Sequence, residues 1–133
     1  MKNLVIDLDY TICRPHENED QQDDPVLKYS QADPVSDVIE KIREYKNKGF
    51  HITIHTSRNM RTYKGDISAI IKNTLPVIAD WLDRHNVPYD AIVVGKPWCG
   101  NDGFYIDDKA IRPSEFRDLT YDQIVDLLNR EKM

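Results

Sequence analysis

The chain has 133 residues, of which 40% are hydrophobic and 31% charged, and its formal net charge is -5. This length suits one domain with a single core, and the composition excludes a disordered or fibrous chain. The acidic balance argues against a general affinity for nucleic acid, which requires an excess of Lys and Arg to displace counterions.

The first predicted elements are a strand and a long polar excursion. Residues 3–7, NLVID, form a short apolar run with β-branched members, which is typical of a strand covered on both faces. From Arg14 to Pro34 the chain becomes polar, with the acidic cluster HENEDQQDD and several prolines. This pattern predicts a surface flap over about 12–35, with a short hairpin near VLKYS.

Helices and strands alternate after this excursion. SDVIEKIREYKNKG predicts an amphipathic helix that Ser36 caps and Gly49 ends. FHITIHTSR predicts a strand, and the next helix extends over about 69–85 with a kink or boundary at Pro76. YDAIVVG and FYID predict two further strands, and YDQIVDLLNR predicts a closing helix. The alternation predicts an α/β fold: a single Rossmann-like, three-layer domain over 1–133 with a central parallel sheet.

The two cysteines, Cys13 and Cys99, stand far apart and outside any CxxC or Cys/His spacing. They indicate neither a disulfide framework nor a zinc site, so we expect two reduced thiols. No apolar run approaches the roughly 18 to 20 residues that span a bilayer, and Asp7 interrupts the N-terminal segment before a signal-peptide core can form. These features predict a cytoplasmic protein without a membrane partner.

Polar and ionisable residues follow all four predicted strands. Ligands of an open parallel sheet bind beyond the carboxyl ends of its strands, so these residues are candidates for one site. In strand order they are Asp7, Asp9 and Thr11; Thr56, Ser57 and Arg58; Lys96; and Asp107 and Asp108. Four carboxylates brought together repel one another unless a cation binds, and an all-oxygen set suits Mg²⁺.

Acids with a metal, a hydroxyl group and a lysine are the groups that phosphoryl transfer requires. A carboxylate can serve as the nucleophile and form an aspartyl-phosphate. The predicted substrate is therefore a small molecule with a phosphate monoester. Arg58 is predicted to bind a second anionic group of that substrate, because guanidinium suits bidentate contact with phosphate or carboxylate.

From Val5 to Asp108 the chain resembles a phosphatase of the haloacid dehalogenase (HAD) superfamily. DLDYT resembles the first motif of that superfamily, HTSR the second, GKP the third and YIDD the fourth, in the same order. The resemblance implies a HAD-like fold and a Mg²⁺-dependent phosphoric monoester hydrolase that works through an aspartyl-phosphate.

The resemblance also implies a role for each motif residue. Asp7 would be the nucleophile, and Asp9 would be the general acid that protonates the leaving oxygen and later activates water. Lys96 would hold Asp7 and the phosphate together, while Thr11 and Thr56, with Ser57 as the alternative to Thr56, would bind substrate. The implied metal ligands are Asp7, Asp9 through its backbone carbonyl, Asp107, and Asp108 directly or through water.

Two departures from the common HAD pattern concern the entrance to this site. Tyr10 stands where many members have glycine, and we expect it to shape the entrance. Neither 11–36 nor 58–96 has room for a large cap domain. We therefore expect an open site that a small flap or a neighbouring subunit of a homo-oligomer closes.

SRNMRTY, GKPWCG and GFYIDDKAIRPSEF resemble a small group of bacterial proteins associated with capsular polysaccharide biosynthesis. This implies a phosphorylated sugar or a related small metabolite as substrate. Two other functions stay open: a receiver-like domain that accepts a phosphoryl group in signalling, and a non-catalytic phosphate-binding module. Receiver domains carry the acceptor Asp at the third strand, whereas that strand leads here into Gly95 and Lys96.

Overall fold

The computed structural model describes residues 2–17 and 23–132. Its strands are β1 (Asn3–Ile6), β2 (Cys13–Arg14), β3 (Asp33–Pro34), β4 (His51–His55) and β5 (Ala91–Val93). Its α-helices are α1 (Ser36–Asn47), α2 (Ile67–Asn73), α3 (Leu75–Arg84), α4 (Pro113–Asp118) and α5 (Tyr121–Asn129). Two 3-10 helices span Leu27–Gln31 and Arg130–Lys132.

The chain divides into two compact units, Met1–Trp98 and Cys99–Met133. The first contains a parallel sheet in the order β1-β4-β5. Ile6, Ile52 and Ile54 lie on one face of this sheet and are at most 7% exposed. A parallel sheet with helices agrees with the predicted α/β class and is consistent with a Rossmann-like fold.

Helix α1 follows its predicted amphipathic pattern, and its apolar face is buried. The four residues of this face are Val38, Ile39, Ile42 and Tyr45. The predicted cap is wrong: Ser36 is the first helical residue, and the preceding Val35 occupies the cap position without a side-chain hydrogen bond. Gly49 ends the segment as predicted, with a φ of 92° that glycine adopts without strain.

The helix predicted over about 69–85 is two helices, α2 and α3, which meet at Thr74. Pro76 lies in the first turn of α3. Proline is tolerated there because the first N–H groups of a helix have no intrahelical acceptor, whereas deeper in a helix it would remove a hydrogen bond. The predicted boundary at Pro76 is therefore confirmed.

The polar excursion is tied together at its base. Strands β2 and β3 pair antiparallel there, with Cys13 opposite Pro34. The hairpin predicted near VLKYS is wrong, because this stretch is the 3-10 helix Leu27–Gln31. The carboxylate of Asp24 accepts the N–H groups of Val26 and Leu27, which starts helical turns instead of a strand. Residues 18–22 of the acidic cluster lie outside the described residues.

The second unit contains α4 and α5, with Phe116 and Ile124 buried. The Oγ1 of Thr120 accepts the N–H of Gln123, and the Gln123 side chain accepts the N–H of Thr120, so a capping box begins α5 as a helix. The strand predicted at FYID is not formed, since residues 104–107 pair with no strand within 2–17 and 23–132. A strand is stable only with a hydrogen-bonded neighbour, which local sequence does not reveal.

Both cysteines are free thiols, as predicted, with Cys13 buried and Cys99 half-buried. In the part of the chain that the structure describes, no helix is both long enough and apolar enough to cross a bilayer.

Candidate functional site

Asp7 is the first residue after β1, at the carboxyl end of the parallel sheet. The chain turns at once, because the carbonyl of Leu8 accepts the N–H groups of Thr11, Ile12 and Cys13. This turn returns Thr11 to Asp7, where its Oγ1 donates to Asp7 Oδ2 at 3.4 Å. The first part of the site is therefore the Asp7 carboxylate, whose side chain is 38% exposed, with the Thr11 hydroxyl as a donor beside it.

Lys96 reaches the same carboxylate from the loop after β5. Its Nζ lies 3.6 Å from Asp7 Oδ1, and its backbone N–H donates to the carbonyl of Thr56 at 3.1 Å. The preceding Gly95 has a φ of 85°, a left-handed conformation that favours glycine. The turn at Gly95 and the backbone bond to Thr56 therefore place the lysine charge next to Asp7.

Burial raises the pKa of Asp7 above its usual 3.8. The positive charge of Lys96 is the largest opposing influence, and the Leu8 N–H and the Thr11 hydroxyl add to it. The negative charge of Asp9 raises the pKa further. Lys96 and Thr11 thus favour the ionised form of Asp7, which is the form that a nucleophile needs.

Asp9 is held by Arg58, which follows β4. The Arg58 Nε donates to Asp9 Oδ2 at 3.1 Å, and its Nη2 donates to Asp9 Oδ1 at 2.8 Å. This is the two-point fork that guanidinium forms with a carboxylate. The Arg58 side chain is 2% exposed and that of Asp9 is 30% exposed, so the arginine lies beneath the acid.

Two more residues enclose Arg58. The ring of Tyr29, in the 3-10 helix of the excursion, lies 4.3 Å from the guanidinium carbon. The Cys13 Sγ is 3.7 Å from Nη2 and 3.5 Å from Asp9 Oδ1. Burial acts to lower the pKa of Arg58, but the charge and hydrogen bonds of Asp9, together with smaller influences of Cys13 and Tyr29, shift that pKa upward. Arg58 therefore stays charged.

Arg58 was predicted to bind substrate, but the structure directs its Nε and Nη2 to groups within the protein. Its Nη1 is buried and finds no acceptor among the described residues. Such a donor costs roughly 1–3 kcal/mol unless water or a ligand accepts from it.

Thr56 and Ser57 differ in exposure. Thr56 is 1% exposed, and its Oγ1 accepts the N–H of Arg58 at 3.0 Å. Because a hydroxyl also has a proton to give, Thr56 retains one donor. Ser57 is half-buried. Thr56 and Ser57 therefore both remain candidates for the predicted substrate-binding hydroxyl.

His55 is not among the site residues predicted from the strand ends, yet it lies within the electrostatic reach of Asp7 and Lys96. Burial, and then the Lys96 charge, lower the pKa of His55 below 6.5, and Asp7 opposes them. A signal was available in the sequence: His55 is the first residue of HTSR, and the structure makes it the last residue of β4.

Asp107 and Asp108 belong to the second unit and are exposed. Asp107 Oδ1 accepts the N–H of Lys109 at 2.8 Å, a local turn that leaves Oδ2 available. The four predicted metal ligands are thus divided between the two units. Among the residues that the structure describes, no three acidic, histidine or cysteine side chains form a group that could hold a metal ion.

Tyr10 adopts a φ of 63°, in the left-handed region where glycine is unstrained, and its side chain is 65% exposed. Its N–H donates to the carbonyl of Cys13 at 2.7 Å. The turn that returns Thr11 to Asp7 therefore requires a conformation that costs a residue with a Cβ roughly 1–2 kcal/mol.

Comparison with known proteins gives one informative match. The chain is 50% identical to a structural-genomics target from Vibrio cholerae whose crystal structure is solved. The match covers 98% of this chain and 99% of that chain, with a TM-score of 0.87. The chain therefore belongs to the same family as that Vibrio protein. No protein-family model and no curated protein matches it.

Proposed function

We propose that the chain is a Mg²⁺-dependent phosphatase of the HAD type, which hydrolyses phosphate monoesters through an aspartyl-phosphate on Asp7. One observation carries the proposal: the Asp7 carboxylate lies at the end of β1 with Lys96 Nζ at 3.6 Å and the Thr11 hydroxyl at 3.4 Å. An anionic nucleophile beside a cation and a neutral donor suits attack on a phosphoryl group, whose oxygens need both.

The reaction divides into two displacements. A carboxylate oxygen of Asp7 attacks the phosphorus, the P–O bond to the leaving group breaks, and Asp9 gives its proton to the leaving oxygen. Water then attacks the phosphorus of the aspartyl-phosphate and gives a proton to Asp9. The P–O bond to Asp7 breaks, which releases inorganic phosphate and restores the Asp7 carboxylate. Lys96 neutralises charge on Asp7 and the phosphoryl group in both steps.

Asp7, Asp9, Asp107 and Asp108 would hold the Mg²⁺ in this proposal. In chemistry the donors suit a hard cation, because Mg²⁺ prefers oxygen ligands: Asp9 would contribute its backbone carbonyl and the other three acids their carboxylates, of which that of Asp7 is 38% exposed. When bound, the cation supplies charge screening between the anionic nucleophile and the anionic substrate. A phosphorylated sugar or related metabolite is the substrate class, as the capsular-polysaccharide resemblance implies.

The test measures release of inorganic phosphate from an aryl phosphate with Mg²⁺, and then from a panel of phosphorylated sugars and other metabolites. We expect repeated turnover by the wild type and a loss of roughly three orders of magnitude or more in Asp7→Asn. The matched control is Asp37→Asn, an exposed acid in the first turn of α1, which should retain activity. Circular dichroism checks that both variants fold.

Three results would contradict the proposal. Full activity of Asp7→Asn would exclude Asp7 as nucleophile. A protein that takes up one phosphoryl group and holds it would instead be a receiver-like domain, and one that binds phosphate without any turnover would be a binding module.

A further inference from the structure

We propose that Arg58 is a positioning residue that fixes the orientation of the Asp9 carboxyl group, and that Tyr29 of the excursion keeps Arg58 in place. This inference rests on the proposed function, in which Asp9 transfers the proton. It replaces substrate binding as the main role of Arg58.

The geometry of the fork is the first argument. Asp9 Oδ1 accepts from Arg58 Nη2, and Asp9 Oδ2 accepts from Arg58 Nε, so both carboxylate oxygens are fixed and the carboxyl plane cannot rotate freely. Oδ2 accepts only this bond among the hydrogen bonds described, and a carboxylate oxygen has room for two. Asp9 can therefore be held by Arg58 and still exchange a proton at Oδ2.

The burial of Arg58 is the second argument. At 2% side-chain exposure, the guanidinium is inaccessible to a substrate that arrives from solvent, whereas the 30% exposed Asp9 is accessible. A charge buried this deeply is costly unless it is paired, so the Asp9 contact must persist in the folded protein. A persistent contact of this kind fits a support for Asp9 better than a direct ligand for substrate.

Tyr29 connects the excursion to this pair. Its ring lies 4.3 Å from the Arg58 guanidinium carbon, within the range of a cation–π contact. Tyr29 belongs to the 3-10 helix Leu27–Gln31, which lies between strands β2 and β3. The proposal therefore assigns this helix a part in aligning the acid, in addition to any role as a cover over the site.

The kinetic test compares Arg58→Gln, Arg58→Lys and Tyr29→Leu with the wild type on an aryl phosphate. A misplaced acid lowers the rate of the chemical step, so we expect kcat to fall by up to about 100-fold in Arg58→Gln with little change in KM. Arg58→Lys keeps the charge without the fork and should recover only part of the loss. Tyr29→Leu should lose about 2- to 30-fold.

Two further variants serve as controls. Tyr29→Phe keeps the ring and should exceed Tyr29→Leu in kcat, while Leu27→Ala removes an exposed side chain from the same 3-10 helix and should leave kcat unchanged. If the Arg58 variants raise KM at constant kcat, Arg58 binds substrate and the proposal is wrong. Equal kcat values for Tyr29→Leu and Leu27→Ala would overturn the role of Tyr29.

An NMR measurement separates this inference from the proposed function. The Nε–H signal of Arg58 should be protected from exchange in the wild type, and it should lose protection in Asp9→Asn and in Tyr29→Leu. An unprotected signal in the wild type overturns the positioning role whatever the activity. A protected signal in a protein without phosphatase turnover contradicts the proposed function, and with it the catalytic purpose of the fork, while the fork itself remains.

Discussion

Tyr10 has a left-handed backbone conformation, with a φ of 63°. Since the ring is 65% exposed, its removal forfeits little buried surface. Tyr10→Gly relieves the backbone strain, and the entropy that glycine loses on folding offsets part of the gain. We expect Tyr10→Gly to be more stable than Tyr10→Ala by about 1 kcal/mol, measured by urea unfolding.

Tyr10→Ala is the matched control, because it removes the ring but keeps the Cβ that opposes a positive φ. If the alanine variant is as stable as the glycine variant, the turn carries no strain at this residue. The retention of tyrosine would then call for a reason outside backbone energetics, such as contact with substrate.

His55 makes the free energy of unfolding depend on pH. Burial and Lys96 lower its pKa in the folded state, whereas in the unfolded chain it stays near 6.5. As the pH falls below about 6.5, the unfolded chain therefore takes up a proton that the folded protein does not, and the free energy of unfolding declines until the pH passes the lower folded pKa. We expect a loss of no more than about 1 kcal/mol, because His55 is only half-buried.

The measurement for His55 is denaturant unfolding between pH 7.5 and 5 in wild type and in His55→Gln. The wild type should lose more stability than the variant over this range. His51→Gln, at the exposed other end of β4, should keep the wild-type decline. Identical declines in wild type and His55→Gln would show that other groups are responsible.

At the scale of elements, α3 anchors the excursion through Trp81. This residue is 2% exposed, its Nε1 donates to the carbonyl of Ala32 at 2.8 Å, and its ring lies 4.3 Å from that of His85 at a tilt of 36°. Trp81→Phe leaves the Ala32 carbonyl without its donor and a space beside the smaller ring. We expect a loss of about 2–4 kcal/mol and faster hydrogen exchange in residues 27–34.

A second bond from α3 to the excursion provides the control. Arg84 Nη2 donates to the carbonyl of Ser30 at 2.9 Å, but the arginine side chain is 48% exposed. Arg84→Gln should therefore cost less than about 1 kcal/mol. If Arg84→Gln opens residues 27–34 as much as Trp81→Phe does, the buried indole is not the main anchor.

The elements show what sequence patterns can and cannot predict. Strand β4 and helices α1 and α5 were predictable because their periodicity is local. Two side-chain hydrogen bonds were not predictable. Thr74 Oγ1 donates to Asn59 Oδ1 at 2.8 Å, and Asn59 Nδ2 donates to the carbonyl of Pro25 at 3.0 Å. They join segments distant in sequence, and no local pattern encodes such a pairing.

The same limit applies to the candidate site. The ends of the strands identified Asp7 and Lys96, which the structure places 3.6 Å apart. The Arg58 fork on Asp9 was missed because an arginine after a strand is equally compatible with a ligand outside the protein and with a partner inside it. The burial of Arg58 favours the partner inside the protein. That burial depends on the excursion, which carries Tyr29.

For the whole molecule, the response of stability to Mg²⁺ tests the metal prediction. A cation that binds only the folded state stabilises the protein by RT ln(1 + [Mg²⁺]/Kd). At a hundredfold excess over Kd this amounts to about 2.7 kcal/mol, or roughly a 10 °C rise in Tm.

Asp7→Asn and Asp107→Asn should each reduce this rise in Tm, whereas Asp102→Asn, a change at an exposed acid of the second unit, should keep it. NaCl at equal ionic strength separates binding from screening. A wild-type Tm that responds equally to both salts would contradict the magnesium assignment, and an unchanged response of Asp107→Asn alone would remove Asp107 from the ligand set.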